Sequence, residues 1–177
     1  MAKISKKNQH YRTKEEMAND IYNVLRVDTL SLAAKHAVIF QITWHWTEFF
    51  GKYTGCPCWS KKALVNINVP ESTKSKLLRH DHVIPRKTIL DHLFKHGGGM
   101  SRNEVYHFLD KNLVGCILLK EEDYVVSKQG KRQTMPDGWG FGDNIWERYI
   151  STDIEVFKVE WKGRNGTVQK EVNFRRD

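Results

Sequence analysis

Cysteine is scarce in this chain: Cys56, Cys58 and Cys116 are the only three in 177 residues. An odd, sparse set cannot build the paired and dense disulfide framework that holds small secreted scaffolds together. A reducing cytoplasm is the expected setting. The single Cys56-Pro57-Cys58 pair also lacks the second pair of ligands that a structural zinc site needs, so free thiols are expected. Long apolar runs are missing too, and none approaches the roughly 18 residues of a membrane span. The N-terminus, Met1-Ala2-Lys3-Ile4-Ser5-Lys6-Lys7, is followed by polar residues and not by the apolar core of a secretory signal, so neither insertion nor export is expected.

What the chain has in excess is positive charge. Lysine and arginine number 29 against 21 acids, a formal net charge of +8. Such a field attracts nucleic acid phosphates first, and also anionic surfaces and acidic protein partners. Residues 1–14 hold Lys3, Lys6, Lys7, Arg12 and Lys14 with no acid and no apolar period. The expected organisation is a mobile basic arm over residues 1–13, then one domain over 14–177, long enough to bury a core without disulfides or metals. A homodimer is left open.

Local signals divide the domain into elements. Thr13 with Glu16 forms a capping box ahead of a helix over residues 14–26, with Met17, Ile21, Val24 and Leu25 on one face. Asp28 is placed to cap a second helix reaching about Phe50, ended by Gly51 and apolar nearly all round, which suggests a central core helix. Residues 52–60 read as a loop, Ser60 as the cap of a short helix over 61–66, and Pro70 as its end. A strand is expected over 77–84, running into Pro85, then a helix over 88–94 stopped by Gly97-Gly98-Gly99.

Further on, Ser101 with Glu104 forms a second capping box, residues 114–119 have the composition of a buried strand, and 120–128 read as a helix. Residues 129–143 are irregular yet aromatic: Trp139 and Phe141 could plug the core beside Trp146 and Tyr149, or stack on nucleic acid. The C-terminus reads as a hairpin, Phe157, Val159 and Trp161 answering Val168, Val172 and Phe174 around an Asn165-Gly166 turn. The fold class is α+β, one helix-rich domain with a C-terminal β-hairpin.

The chemistry-bearing segment is Arg79-His80-Asp81-His82-Val83-Ile84-Pro85-Arg86. Hydrolysis of a phosphodiester with a metal ion needs a general base for water, a cation at the phosphate, and ligands for that cation. The cluster supplies a base and a ligand together. On a regular strand His80 and His82 face one side and Asp81 the other, so the strand end must bend to bring Asp81 and His82 to one ion. The plain alternative is the polar face of a structural strand.

Asp81-His82-Val83-Ile84-Pro85 resembles the HNH, or ββα-metal, nucleases, in which an Asp-His pair, two aliphatic residues and proline close the first strand. The resemblance covers about residues 77–128 and implies a small ββα centre that cuts DNA, or less readily RNA, with magnesium or manganese. It implies that His82 is the general base, Asp81 a metal ligand, and Asn112 the residue that orients the histidine. The third ligand would come from Glu122 or Asp123, carboxylates where the family has His or Asn, which suits a hard cation. His80 would be a second ligand or the leaving-group acid, with Arg79, Arg86, Lys87 and Arg148 on phosphates. A phage, plasmid or defence setting would follow. Two departures stand out, an inserted helix between the strands and the absence of paired zinc-ribbon cysteines. The competing class is a non-catalytic module that binds nucleic acid or an acidic protein through the same basic surface.

Overall fold

Seven α-helices and five strands make up residues 11–172, the part described by the computed structural model. In chain order they are α1 (Lys14–Arg26), α2 (Leu32–Thr47), β1 (Cys58–Ser60), α3 (Glu71–Leu77), β2 (Leu78–His82), α4 (Arg86–His96), α5 (Arg102–Asn112), β3 (Gly115–Leu119), α6 (Lys120–Lys128), α7 (Glu147–Ile150), β4 (Val156–Lys162) and β5 (Asn165–Glu171). Residues 1–10 of the expected arm and Phe174 lie outside the described residues. Of the arm's end, Tyr11 donates to Asp20 at 3.0 Å and the Arg12 N–H donates to Glu16 at 2.7 Å.

Both capping boxes form where local chemistry puts them. The Thr13 hydroxyl accepts from the Glu16 N–H and Glu16 returns to the Thr13 N–H, and Ser101 with Glu104 repeats the pattern ahead of α5. The start of α2 differs from expectation: Ser31, not Asp28, is the cap and accepts from the Ala34 N–H at 3.2 Å. The Leu30 N–H bonds back to Val27 in a turn, which leaves Asp28 outside the helix. Although apolar all round, α2 buries only Ile39, Ile42, Thr43 and Trp46 and leaves Leu32, Val38 and Phe40 exposed. It is therefore a flank of the helical core, not its centre. That core joins α1, α2, α4 and α5 through residues such as Ile21, Trp46, Leu93 and Leu109.

The strands form one sheet in the order β2-β3-β1-β4-β5, with β1 and β3 parallel and every other neighbour antiparallel. One face carries Trp59, Leu78, Ile117 and Trp161; the other carries Cys58, Cys116 and Leu118 beneath Val126 of α6 and Tyr149 of α7. The chain is thus a single α+β domain with a C-terminal strand pair. No helix among the described residues is long and apolar enough to cross a membrane.

Three local expectations change. Cys58–Ser60 is not loop but a central strand, held by β3 on one side and β4 on the other, and the Ser60 hydroxyl accepts at 3.1 Å from the N–H of Ala63, which opens a 3₁₀ turn over Ala63–Asn66. Pro70 opens α3 rather than closing what precedes it, since its fixed φ of −56° suits a helix start, and β2 begins only at Leu78. The hairpin turns at Gly163-Arg164, between the paired Lys162 and Asn165, with Gly163 at φ +66°. A glycine at the first central position fits a two-residue turn of the II′ kind. Gly166 lies within β5 instead, where a Cβ would stand 2.6 Å from Ile67 and 3.0 Å from Trp161.

Candidate functional site

The motif is the junction between the sheet and the helical core. Val83 enters the core beneath α7, Ile84 enters the helical core, and Pro85 leads into α4. Within β2 the pleat separates the polar residues, as the period of two demands. Asp81 pairs with Cys116 and turns toward α6 and α7, while His80 and His82 turn toward the end of α2.

On the first face, one Asp81 carboxylate oxygen accepts from the Arg148 guanidinium and from the Tyr149 hydroxyl, the latter at 2.7 Å. Arg148 is 1% exposed and also donates to the His82 and Lys131 carbonyls. Burial pushes the Asp81 carboxyl above its ordinary range, while Arg148 and the Tyr149 hydroxyl pull it back. Burial and the neighbouring Asp81 raise Tyr149 well above its ordinary value.

On the second face, His82 Nε2 lies 3.0 Å from the Thr47 hydroxyl, and the ring packs 5.5 Å from both Trp44 and His80. His80 Nδ1 is 4.0 Å from a Glu48 carboxylate oxygen, beyond hydrogen-bond reach, and both His80 nitrogens are buried without a hydrogen-bond partner among the described residues. Burial, with Lys52 and Arg86 nearby, pushes His80 down to about 3. His82 falls well below its ordinary value through burial, then through His80, Arg86 and Arg148. Gly115 makes room for this cluster, since a Cβ there would stand 2.4 Å from His80 Nε2.

The remaining expected site residues are scattered. Asn112 is buried at the end of α5 and donates to the Phe108 carbonyl at 2.8 Å, with its own oxygen buried and without a hydrogen-bond partner among the described residues. Glu122 is buried and accepts from Ser60 and from the Leu119 N–H that opens its own helix. Asp123 is half-buried on α6, and its charge adds to the upward push on the Asp81 carboxyl. Arg79 is exposed; Lys87 is exposed and pairs with Asp91 at 2.6 Å. Arg86 is half-buried, stacked 3.8 Å from the Phe40 ring centre and 4.4 Å from that of Trp44.

These positions do not fit a shared magnesium or manganese ion as they stand. Asp81 and His82 address opposite faces, Glu122 is occupied, and among the described residues no group of three or more His, Cys, Asp or Glu is placed to hold a metal. Arg148, expected on a phosphate, is instead the buried counter-ion of Asp81. Sequence reading missed Trp44, Thr47, Glu48 and Tyr149 as neighbours of the motif. Their signal was present, because residues 44, 47 and 48 share one face of α2 at helical spacing, but nothing local linked that face to β2.

The aromatic loop packs on the helical core: the Trp139 indole N–H donates to the Asn144 carbonyl at 2.9 Å, and Phe141 lies 4.3 Å from His92 and 5.1 Å from Phe108. No family model matches the chain, and neither a curated protein nor a solved structure matches it.

Proposed function

We propose that this protein binds nucleic acid, DNA foremost, through its basic surface and without cutting it. One observation carries the reading: His82 and Glu122 are buried and hydrogen-bonded and Asp81 is held by Arg148 and Tyr149, while the neighbouring cations Arg79 and Lys87 are exposed. His82, the expected base, is held well below its ordinary value by burial and by His80, Arg86 and Arg148, which makes it a poor base at pH 7, because proton transfer is most effective when the catalytic value lies near the working pH. Three free, buried cysteines, with Cys58 raised to about 11 by burial, suit a cytoplasmic setting where thiols stay reduced.

A second reading, HNH-like hydrolysis with magnesium or manganese, is favoured by one feature. β2 and β3 are antiparallel neighbours and α6 follows β3 directly, a ββα arrangement with α4 and α5 inserted between its strands. For it to operate, Asp81 must leave Arg148 and the end of β2 must turn His82 to the Asp81 side.

The deciding experiment incubates the full chain with plasmid, single-stranded DNA and RNA in magnesium, manganese or chelator, beside binding measured at several salt concentrations. Salt-sensitive binding without cutting is expected. Metal-dependent cutting that His82→Ala abolishes would establish the nuclease instead, and the absence of binding would overturn both. Competition by an acidic protein, but not by nucleic acid, would point to a protein partner.

A further inference from the structure

We propose that the cleft between α4 and residues 133–141 receives an unstacked base and its flanking phosphates, so that the preferred ligand is a single-stranded stretch of nucleic acid. This rests on the nucleic-acid reading above and adds where and in what form the ligand binds.

The cleft has a volume of about 400 Å³, within the range of small-ligand sites, roughly 300–1,000 Å³. Its walls combine two chemistries. One is aromatic: Trp139, Phe141 and His92 line it as a chain of rings, Trp139 to Phe141 at 5.1 Å and Phe141 to His92 at 4.3 Å. The Trp139 N–H is already satisfied by Asn144, so what this side chain offers a ligand is its ring. The other is cationic: Lys87 and Lys95 line the same cleft from α4, eight residues apart and thus about 12 Å along the helix axis.

Rings beside cations, in a concave site, are what a base and its phosphates require. A base within a duplex has both faces covered by its neighbours and cannot enter such a cleft, whereas an unpaired base can be splayed out and stacked. Asp91 also lines the cleft and opposes a phosphate. Its pair with Lys87 is exposed on both sides, 61% and 63%, and exposed pairs of this kind are weak, so a phosphate can draw Lys87 away.

The test uses the full chain and fluorescein-labelled oligonucleotides of mixed sequence, single-stranded DNA, single-stranded RNA and a DNA duplex, read by anisotropy. Lys95→Glu is compared with Lys62→Glu, which makes the same charge change at an exposed residue outside the cleft. Single strands are expected to bind more tightly than duplex, and Lys95→Glu to weaken that binding roughly tenfold while Lys62→Glu costs much less. Asp91→Asn should tighten it. Tryptophan quenching by the oligonucleotide should shrink in Trp139→Phe, a variant that keeps an aromatic ring at this position. The DNA and RNA arms report which sugar is preferred. Equal losses in Lys95→Glu and Lys62→Glu, or duplex bound as well as single strand, would overturn this inference and leave the nucleic-acid reading standing. Failure of the unaltered protein to bind any of the three would overturn both.

Discussion

Arg148 on α7 is bound to Asp81 on β2, 67 positions away in the chain, and the same guanidinium nitrogen donates to the carbonyl of His82. The pair fastens a short helix to the strand that carries the motif, with the Tyr149 hydroxyl completing the carboxylate's shell at 2.7 Å. Asp81 is therefore part of the architecture, and its loss should be felt as stability.

Arg148→Met should destabilise the protein by about 3–5 kcal/mol, because it leaves the Asp81 charge buried without its partner. Asp81→Asn in the same chain should recover much of that loss by removing the orphaned charge. Urea unfolding of both single variants and the double variant measures the coupling. Additive losses would show that the two residues act independently.

Acid should weaken the fold through the two buried histidines. Their folded values are depressed, His80 to about 3 against 6.5 for a free imidazole, so below pH 6.5 the unfolded chain takes up protons that the folded chain does not. Each contributes a loss approaching ~1.4 kcal/mol per pH unit, and the share of His80 ends near pH 3, where the folded form also protonates. Asp81, raised by burial, acts in the opposite sense, since its folded carboxyl takes up a proton before the unfolded one. Unfolding free energies between pH 7 and 4.5 should fall less steeply in His80→Gln than in the unaltered protein. An unchanged slope would remove His80 from this account.

Gly115→Ala should cost roughly 1–3 kcal/mol by overpacking. The new methyl would meet His80 Nε2 at 2.4 Å and Thr47 Cβ at 3.3 Å, both held between α2 and the sheet. A thermal midpoint equal to that of the unaltered protein would mean that the His80 ring can swing away freely.

Nucleic acid affinity should fall with salt, and Arg79→Ala should lower the slope of log K against log salt by about 1 if Arg79 touches a phosphate. A titration series at four or five salt concentrations checks this. An identical slope would place the interface away from the exposed end of β2.

Much of the helical frame was legible in the sequence because its signals act within four residues. Thr13 with Glu16 and Ser101 with Glu104 each close a reciprocal pair of hydrogen bonds between positions three apart, and α1 and α5 start where those pairs put them. The composition of α6, opened by Glu121, Glu122 and Asp123 and closed by Lys128, is equally local. The alternation of His80, Asp81 and His82 about β2 also follows from the pleat alone.

What tertiary structure decided is which partner each of those faces would meet. β1 is three residues long and is a strand only because β3 and β4 pair with it on both sides, so no local pattern announces it. Whether β2 would bend at its end was likewise open in the sequence. Pairing of His82 with Gly115 keeps the strand straight, Thr47 takes His82 from 35 positions away, and Arg148 takes Asp81 from 67. Contacts across such separations depend on how helices and sheet pack as a whole, whereas a cap or a pleat depends only on the backbone beside it.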